Sequence, residues 1–171
     1  MVSIVAMISL ISIPLIGRVV GQYRSEGSAD AVVGSIREAR AKAVASGWQY
    51  RVIGYTSGGT IPDAFRIEGR DPNVAVPQWP AQVPSSTRTF TADQYADRWT
   101  SLRTEYGGAQ FAVTGGGTRF LMTFDSRGTL PATGCIPITN CLEGFPISVV
   151  IPTGGPTRNI QVTTAGGVQI Y

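Results

Sequence analysis

Residues 1–53 read MVSIVAMISLISIPLIGRVVGQYRSEGSADAVVGSIREARAKAVASGWQYRVI, and this stretch decides the fold. Its first 17 residues carry no charge; the first charge is Arg18, followed by Arg24, Glu26 and Asp30. From Arg18 to about Ser46 the pattern turns amphipathic. Val19, Ala29, Val32, Val33, Ile36, Ala39, Ala43 and Val44 recur at steps of three and four, the period of one helix face. Asp30, Arg37, Arg40 and Lys42 fall largely on other faces. Gly47 is placed to close the helix, with Arg40 and Lys42 near the negative end of its dipole. A helix from Met1 to about Ser46 would be ~70 Å long, so half of it must project from any small globule. Pro14 should kink it, because proline lacks the N–H and clashes with the preceding turn; Gly17 and Gly21 should soften it.

The uncharged segment would cover ~25 Å as a helix, slightly short of a ~30 Å hydrocarbon core. It reads as a borderline membrane helix, with a buried core helix as the alternative. A cleaved signal peptide fits poorly, since no cationic region precedes it and no A-x-A site follows.

After Gly47 the pattern changes to strands and turns. Residues 48–55 (WQYRVIGY) and 64–68 (AFRIE) are strand candidates, ended by Ser57-Gly58-Gly59 and by the turn from Gly69 to Pro72. Residues 71–98 are rich in Pro, Ser, Thr and Asp and read as a long irregular excursion with at most one short strand. Further short strands are expected at 110–113, 120–124, 147–151, 160–163 and 168–171, punctuated by glycine-bearing turns. The expected class is α+β: a long N-terminal helix whose second half packs on an antiparallel β-sheet domain. The boundaries are 1–24 for the hydrophobic helix, 25–47 for its amphipathic continuation, and 48–171 for the β domain.

The whole chain has 171 residues, 43% hydrophobic and only 15% charged, which excludes disorder driven by charge. Gly 21 and Pro 11 favour a turn-rich β domain over a helical bundle. With His 0, imidazole acid–base catalysis, His-activated nucleophiles and His metal sites are closed. The net charge of +3 comes from arginines spread singly along the chain, with Lys42 the sole lysine. Such dispersed cations read as solvated or paired surface groups and do not imply a polyelectrolyte partner.

Candidate chemical sites are few. Gly115-Gly116-Gly117 lacks the Lys-Ser/Thr of a phosphate loop and reads as a hairpin turn. The carboxylate pairs Asp93/Asp97 and Glu68/Asp71 lie in polar loop sequence, where solvation keeps them ordinary. Asp125-Ser126-Arg127-Gly128 has too few acidic ligands for a calcium loop and reads as a β-turn. Lys42, on the polar side of a helix, is no Schiff-base candidate. No catalytic residue, cofactor or metal is expected. Cys135 and Cys141 can close a small disulfide, contributing ~2 kcal/mol on the chain-entropy argument. Such a bond would place the domain in an oxidising compartment; two unpaired buried thiols are the alternative.

A long helix, apolar then amphipathic, with a proline partway and a β domain behind, resembles the type IV pilin superfamily. MVSIVAMISLISIPLI looks like the pilin hydrophobic helix, with Pro14 at the family's kink. SIREARAKAVASGWQYRVI (35–53) is similar to the helix end and first strand of the GspH/FimT pseudopilins. FLMTFDSRGT (120–129) resembles that family's strand-to-turn element, and RNIQVTTAGGVQIY (158–171) its terminal hairpin. The family's basic leader peptide and assembly glutamate are absent. Aligning Pro14 with the kink implies about eight apolar residues ahead of Met1, which would extend the uncharged helix to ~37 Å and let it span with tilt.

What the resemblance implies is a non-enzymatic minor pilin or pseudopilin. Ile4, Val5, Ile8, Leu10, Ile11, Ile13, Leu15 and Ile16 would form the membrane and assembly helix. The subunit would cross the bacterial inner membrane once, with its β domain in the periplasm. Its partners would be other pilins or pseudopilins through helix packing, an inner-membrane assembly platform and secreted cargo. The alternative is a FimT-like DNA-binding minor pilin for DNA uptake. This chain ends GGVQIY instead of in the arginines expected of those members, leaving Arg119 and Arg158 as the DNA-contact candidates.

Overall fold

The computed structural model describes residues 2–56, 63–70, 79, 96–113, 118–131, 135–136, 145–151 and 155–171, with side chains described from residue 17 on except at 18, 136, 145 and 146. One helix, α1 (Val2–Ser46), runs without interruption across Pro14. The Gly47 N–H donates to the Ala43 carbonyl at 3.0 Å, and Gly47 takes φ +73, a left-handed conformation that glycine adopts without penalty. The expected helix end is therefore where the sequence places it.

Behind α1 follow β1 (Tyr50–Tyr55), β2 (Ala64–Gly69), β3 (Thr100–Ser101), the single-turn α2 (Leu102–Glu105), β4 (Gln110–Val113), β5 (Arg119–Phe124), β6 (Cys135–Ile136), β7 (Phe145–Val150), β8 (Arg158–Val162) and β9 (Val168–Ile170). They form two antiparallel sheets behind the helix, as the α+β class expects. The first has the order β3-β2-β1-β5-β6, the second β4-β7-β8-β9. Gly115-Gly116-Gly117 lie outside the described residues; β4 and β5 on either side belong to different sheets. The split was hidden because period-2 alternation records which face is apolar and not which neighbour a strand pairs with. The short β3, α2 and β6 were not expected either. In the 71–98 excursion, an isolated bridge between Glu68 and Ala96 is the strand-like contact described.

Both sheets pack on the same stretch of α1. Ala29, Val32, Val33, Ile36, Ala39 and Ala43 are all buried, at the i, i+3, i+4 spacing that puts them on one stripe. They join Val52, Phe65, Ile67, Phe120, Met122 and Phe124 of the first sheet and Phe111, Val113, Ile147, Val149, Ile160 and Val162 of the second in one core. Val19 and Val44, expected on that stripe, are 47% and 54% exposed: Val19 lies ahead of the packed segment, and Val44 is turned about 100° around the helix from the fully buried Ala43. The Phe111 ring bridges the sheets, edge-on to Phe120 at 4.9 Å and to Phe65 at 5.9 Å. Gly54 makes room for this cluster: a Cβ there would sit 2.2 Å from the Phe120 ring. The far face of the first sheet is covered as well, with Ile53, Tyr55, Ala64, Trp99 and Leu121 in a second apolar cluster.

Candidate assembly surface

The helix is fastened where it leaves the sheets. Ser25 and Ser28 are fully buried polar residues, and each hydroxyl has an acceptor. Ser25 Oγ donates to the Pro156 carbonyl at 2.6 Å and Ser28 Oγ to the Ser25 carbonyl at 2.9 Å. Arg158 Nη2 meets Glu26 Oε1 at 2.6 Å, and Gln22 donates to the same oxygen at 3.1 Å. Gly155 approaches so closely that a Cβ there would lie 2.9 Å from the Gly21 carbonyl. At the opposite end, Arg40 ties two turns to the helix, donating from Nε to the Gly128 carbonyl at 3.0 Å and from Nη1 to the Gly166 carbonyl at 3.2 Å.

Ahead of this fastening the helix faces solvent. Val19 is 47% exposed, Val20 39% and Tyr23 72%. One uninterrupted helix therefore has a segment buried in the core and, next to it, an apolar segment in water. Such a surface gains free energy by covering itself with another apolar surface. The side chains of Ile4, Val5, Ile8, Leu10, Ile11, Ile13, Leu15 and Ile16, and the ring of Pro14, lie outside the described residues, although the backbone there is helical. Among the described residues, no helix is long and apolar enough to cross a membrane.

Charge inside the β domain departs from the expectation of solvated groups. Glu68 is 0% exposed and lies between two arginines that are themselves nearly buried, Arg51 and Arg66. Arg51 Nε donates to Glu68 Oε2 at 2.6 Å and Arg66 Nε to Oε1 at 2.7 Å. Register explains the meeting, since Arg51 stands directly opposite Glu68 and Arg66 is two residues away on the same face. Arg51 also stacks over Trp79 at 4.1 Å and Arg66 over Trp99 at 4.6 Å. Burial lowers the Arg51 pKa, with Glu68 working against that shift. Burial likewise raises Tyr55 on the same face. The signal in the sequence was a pair of charges two apart within AFRIE, a strand candidate with no turn residue.

Asp63 was not singled out from the sequence, yet it is fully buried and ties the two sheets together. Its Oδ1 accepts the Phe111 N–H at 3.1 Å, its Oδ2 faces Arg103 at 3.3 Å, and its carbonyl accepts the Leu102 N–H at 2.8 Å. Burial pushes its carboxyl pKa up, while the Phe111 hydrogen bond pulls the other way. Asp125 forms the expected turn. Gly128 N–H donates to its carbonyl at 2.9 Å, and its side chain accepts from Arg127 N, Thr129 N and Thr129 Oγ1. The Thr129 hydrogen bond leads in holding its pKa below the usual carboxylate value. Lys42 bridges Glu38 at 2.9 Å and Asp97 at 3.0 Å. Burial opposes its charge, but the two carboxylates outweigh it and the pKa rises. Among the described residues, no three His, Cys, Asp or Glu side chains group as metal ligands do.

The two DNA-contact candidates are not brought together. Arg119 stands opposite Tyr55 and so shares the first sheet's far face, whereas Arg158 on β8 is paired with Glu26 on α1. Cys135 is buried on β6 and is not free; Cys141 lies outside the described residues.

Neither a protein-family model nor a curated protein sequence matches the chain. Solved structures do. The fold is similar to that of the type IV minor pilin FimU of Pseudomonas aeruginosa, at 14% identity over 86% of this chain and 87% of that one, with a TM-score of 0.51. The minor pseudopilin EpsH from the Type 2 Secretion System of Vibrio cholerae aligns at 13% identity over 86% of this chain and 96% of that one, with a TM-score of 0.48. The chain thus has the pilin-like α+β fold, an N-terminal helix followed by antiparallel sheets.

Proposed function

We propose that this chain is a structural, non-enzymatic subunit of a pilus or pseudopilus, assembled through α1. Its pilin-like fold supports the reading, and one observation carries it: Val19, Val20 and Tyr23 stand in solvent on the helix whose next turns are the core. In a filament, the same helix from several subunits would close over these residues and remove them from water. Before assembly, the uncharged run of residues 1–17 would hold the subunit in the inner membrane, with the β domain in the periplasm. A Cys135–Cys141 disulfide fits that oxidising compartment, and no described cysteine is free. An assembly platform and secreted cargo belong to the same reading. No observation favours DNA as a partner, since Arg158 is committed to Glu26.

Site-specific cross-linking tests assembly. Tyr23→Cys in the full chain, treated in intact cells with a thiol-to-amine cross-linker, should give larger species containing this subunit. The same substitution at Ser126, exposed on the Asp125 turn, should give none. Monomer alone from the Tyr23 variant would overturn the reading.

A further inference from the structure

At β9 the second sheet stops. Asn159 and Tyr171 exchange both main-chain hydrogen bonds, at 2.9 and 3.0 Å, and Thr163 donates to the Gly167 carbonyl at 2.8 Å. Opposite residues in an antiparallel pair alternate between exchanging hydrogen bonds and not doing so. Gly167, Gln169 and Tyr171 therefore turn their main-chain groups toward β8, while Val168 and Ile170 turn theirs off the sheet, where no described residue meets them. The other edge of this sheet differs. On β4 the outward Phe111 N–H is taken up by the buried Asp63. On β4 an outward N–H thus has a buried acceptor, whereas the outward groups of Val168 and Ile170 on β9 have no partner among the described residues.

Beside the open edge lies a cavity of about 250 Å³, lined by Glu26, Ala29 and Asp30 of α1, Arg158 of β8 and Ile170 of β9. Arg158 neutralises Glu26, which leaves the exposed Asp30 without an ion-pair partner among the described residues and the cavity with one uncompensated negative charge. Arg158 Nε is buried and has no hydrogen-bond partner among the described residues. The side chain of Ile170 shares a face with the fully buried Ile160 opposite it, the face toward α1.

We propose that β9 is a docking edge for an extended segment of a different protein that carries one lysine or arginine. The segment adds to the sheet as an antiparallel strand and pairs with the outward N–H and C=O groups of Val168 and Ile170. Its residue opposite Ile170 lies on the same face as Ile170 and enters the cavity. There a cationic side chain lays its apolar stem over Ile170 and Ala29 and brings its head to Asp30. The segment's polar groups supply the acceptor that Arg158 Nε lacks. A second copy of this chain does not fit. Pairing two β9 strands sets Val168 or Ile170 of the copy opposite Ile170, with no cation for Asp30.

The test uses the full chain in detergent and two fluorescein-labelled peptides, Thr-Val-Thr-Arg-Thr-Val-Thr and the same peptide with Glu in place of Arg. Fluorescence anisotropy should report binding of the Arg peptide about fivefold tighter than that of the Glu peptide, falling about threefold in Asp30→Asn, the range of an exposed ion pair. Val168→Pro deletes an outward N–H that β8 does not use and should weaken binding by a similar factor. An Arg peptide N-methylated at alternate residues gives the same backbone test on the unaltered chain and should not bind. Lack of Arg-peptide binding, equal binding of the two peptides, or no effect of Asp30→Asn overturns the proposal. So does dimerisation of the peptide-free chain that Val168→Pro abolishes. The proposal does not rest on assembly through α1. Peptide binding by the Tyr23→Cys chain should match the parent, so the two readings fail separately.

Discussion

At Glu68 a single carboxylate, fully shielded from water, answers two guanidinium groups. Desolvating three charges is costly, and only their mutual attraction and hydrogen bonds offset that cost. Glu68→Gln should therefore destabilise the domain by about 3–5 kcal/mol in urea unfolding, because it strands two buried cations. Replacing Arg51, Glu68 and Arg66 together with apolar residues of similar volume should cost far less than the single change. Asp125 is the milder case. Its folded pKa lies below its unfolded value, so its contribution is present above about pH 4 and is lost as pH falls through the folded pKa. Asp125→Ala should lower stability at pH 7 by about 1 kcal/mol, given the exposure of the group, and the difference from the parent should shrink as pH falls below about 4.

Among the elements, α1 shows what periodicity can and cannot say. The stripe from Ala29 to Ala43 was legible, because residues three and four apart on a helix must share a face. Val19 continues the spacing ahead of the packed segment and Val44 at the stripe's margin, and local spacing does not encode how far the β domain covers either. Ile36 is fully buried at the middle of the stripe, so Ile36→Ala should cost about 2–5 kcal/mol in thermal or urea unfolding. The strands from β1 to β9 were mostly legible as strands, with ends displaced by one or two residues in either direction. Their division between two sheets was not, since it is decided by which edges meet after collapse. The Asp125 turn, by contrast, was legible from four residues, because its hydrogen bonds close within five positions.

Over the whole molecule, folding and assembly use different parts of one helix. Among the described residues, Gly21 is the first helix residue that is buried and packed against the β domain. A chain starting at Gly21 keeps these contacts and should unfold within about 3 °C of the full chain in a calorimeter, while its Tyr23→Cys form should no longer cross-link. By itself the sequence determined the helix and its end, the change from period 3.6 to period 2 after Gly47, and the β domain behind it. These follow from contacts within a few residues and from the spacing of apolar side chains. It also carried the uncharged run of residues 1–17. Only the tertiary structure decided that Arg51, Glu68 and Arg66 meet, that Asp63 seals β4, that Arg158 is spent on Glu26, and that β9 is left open. Each of these joins residues on neighbouring strands or distant in the chain. Whether a charge is solvated or buried depends on what the rest of the fold brings beside it.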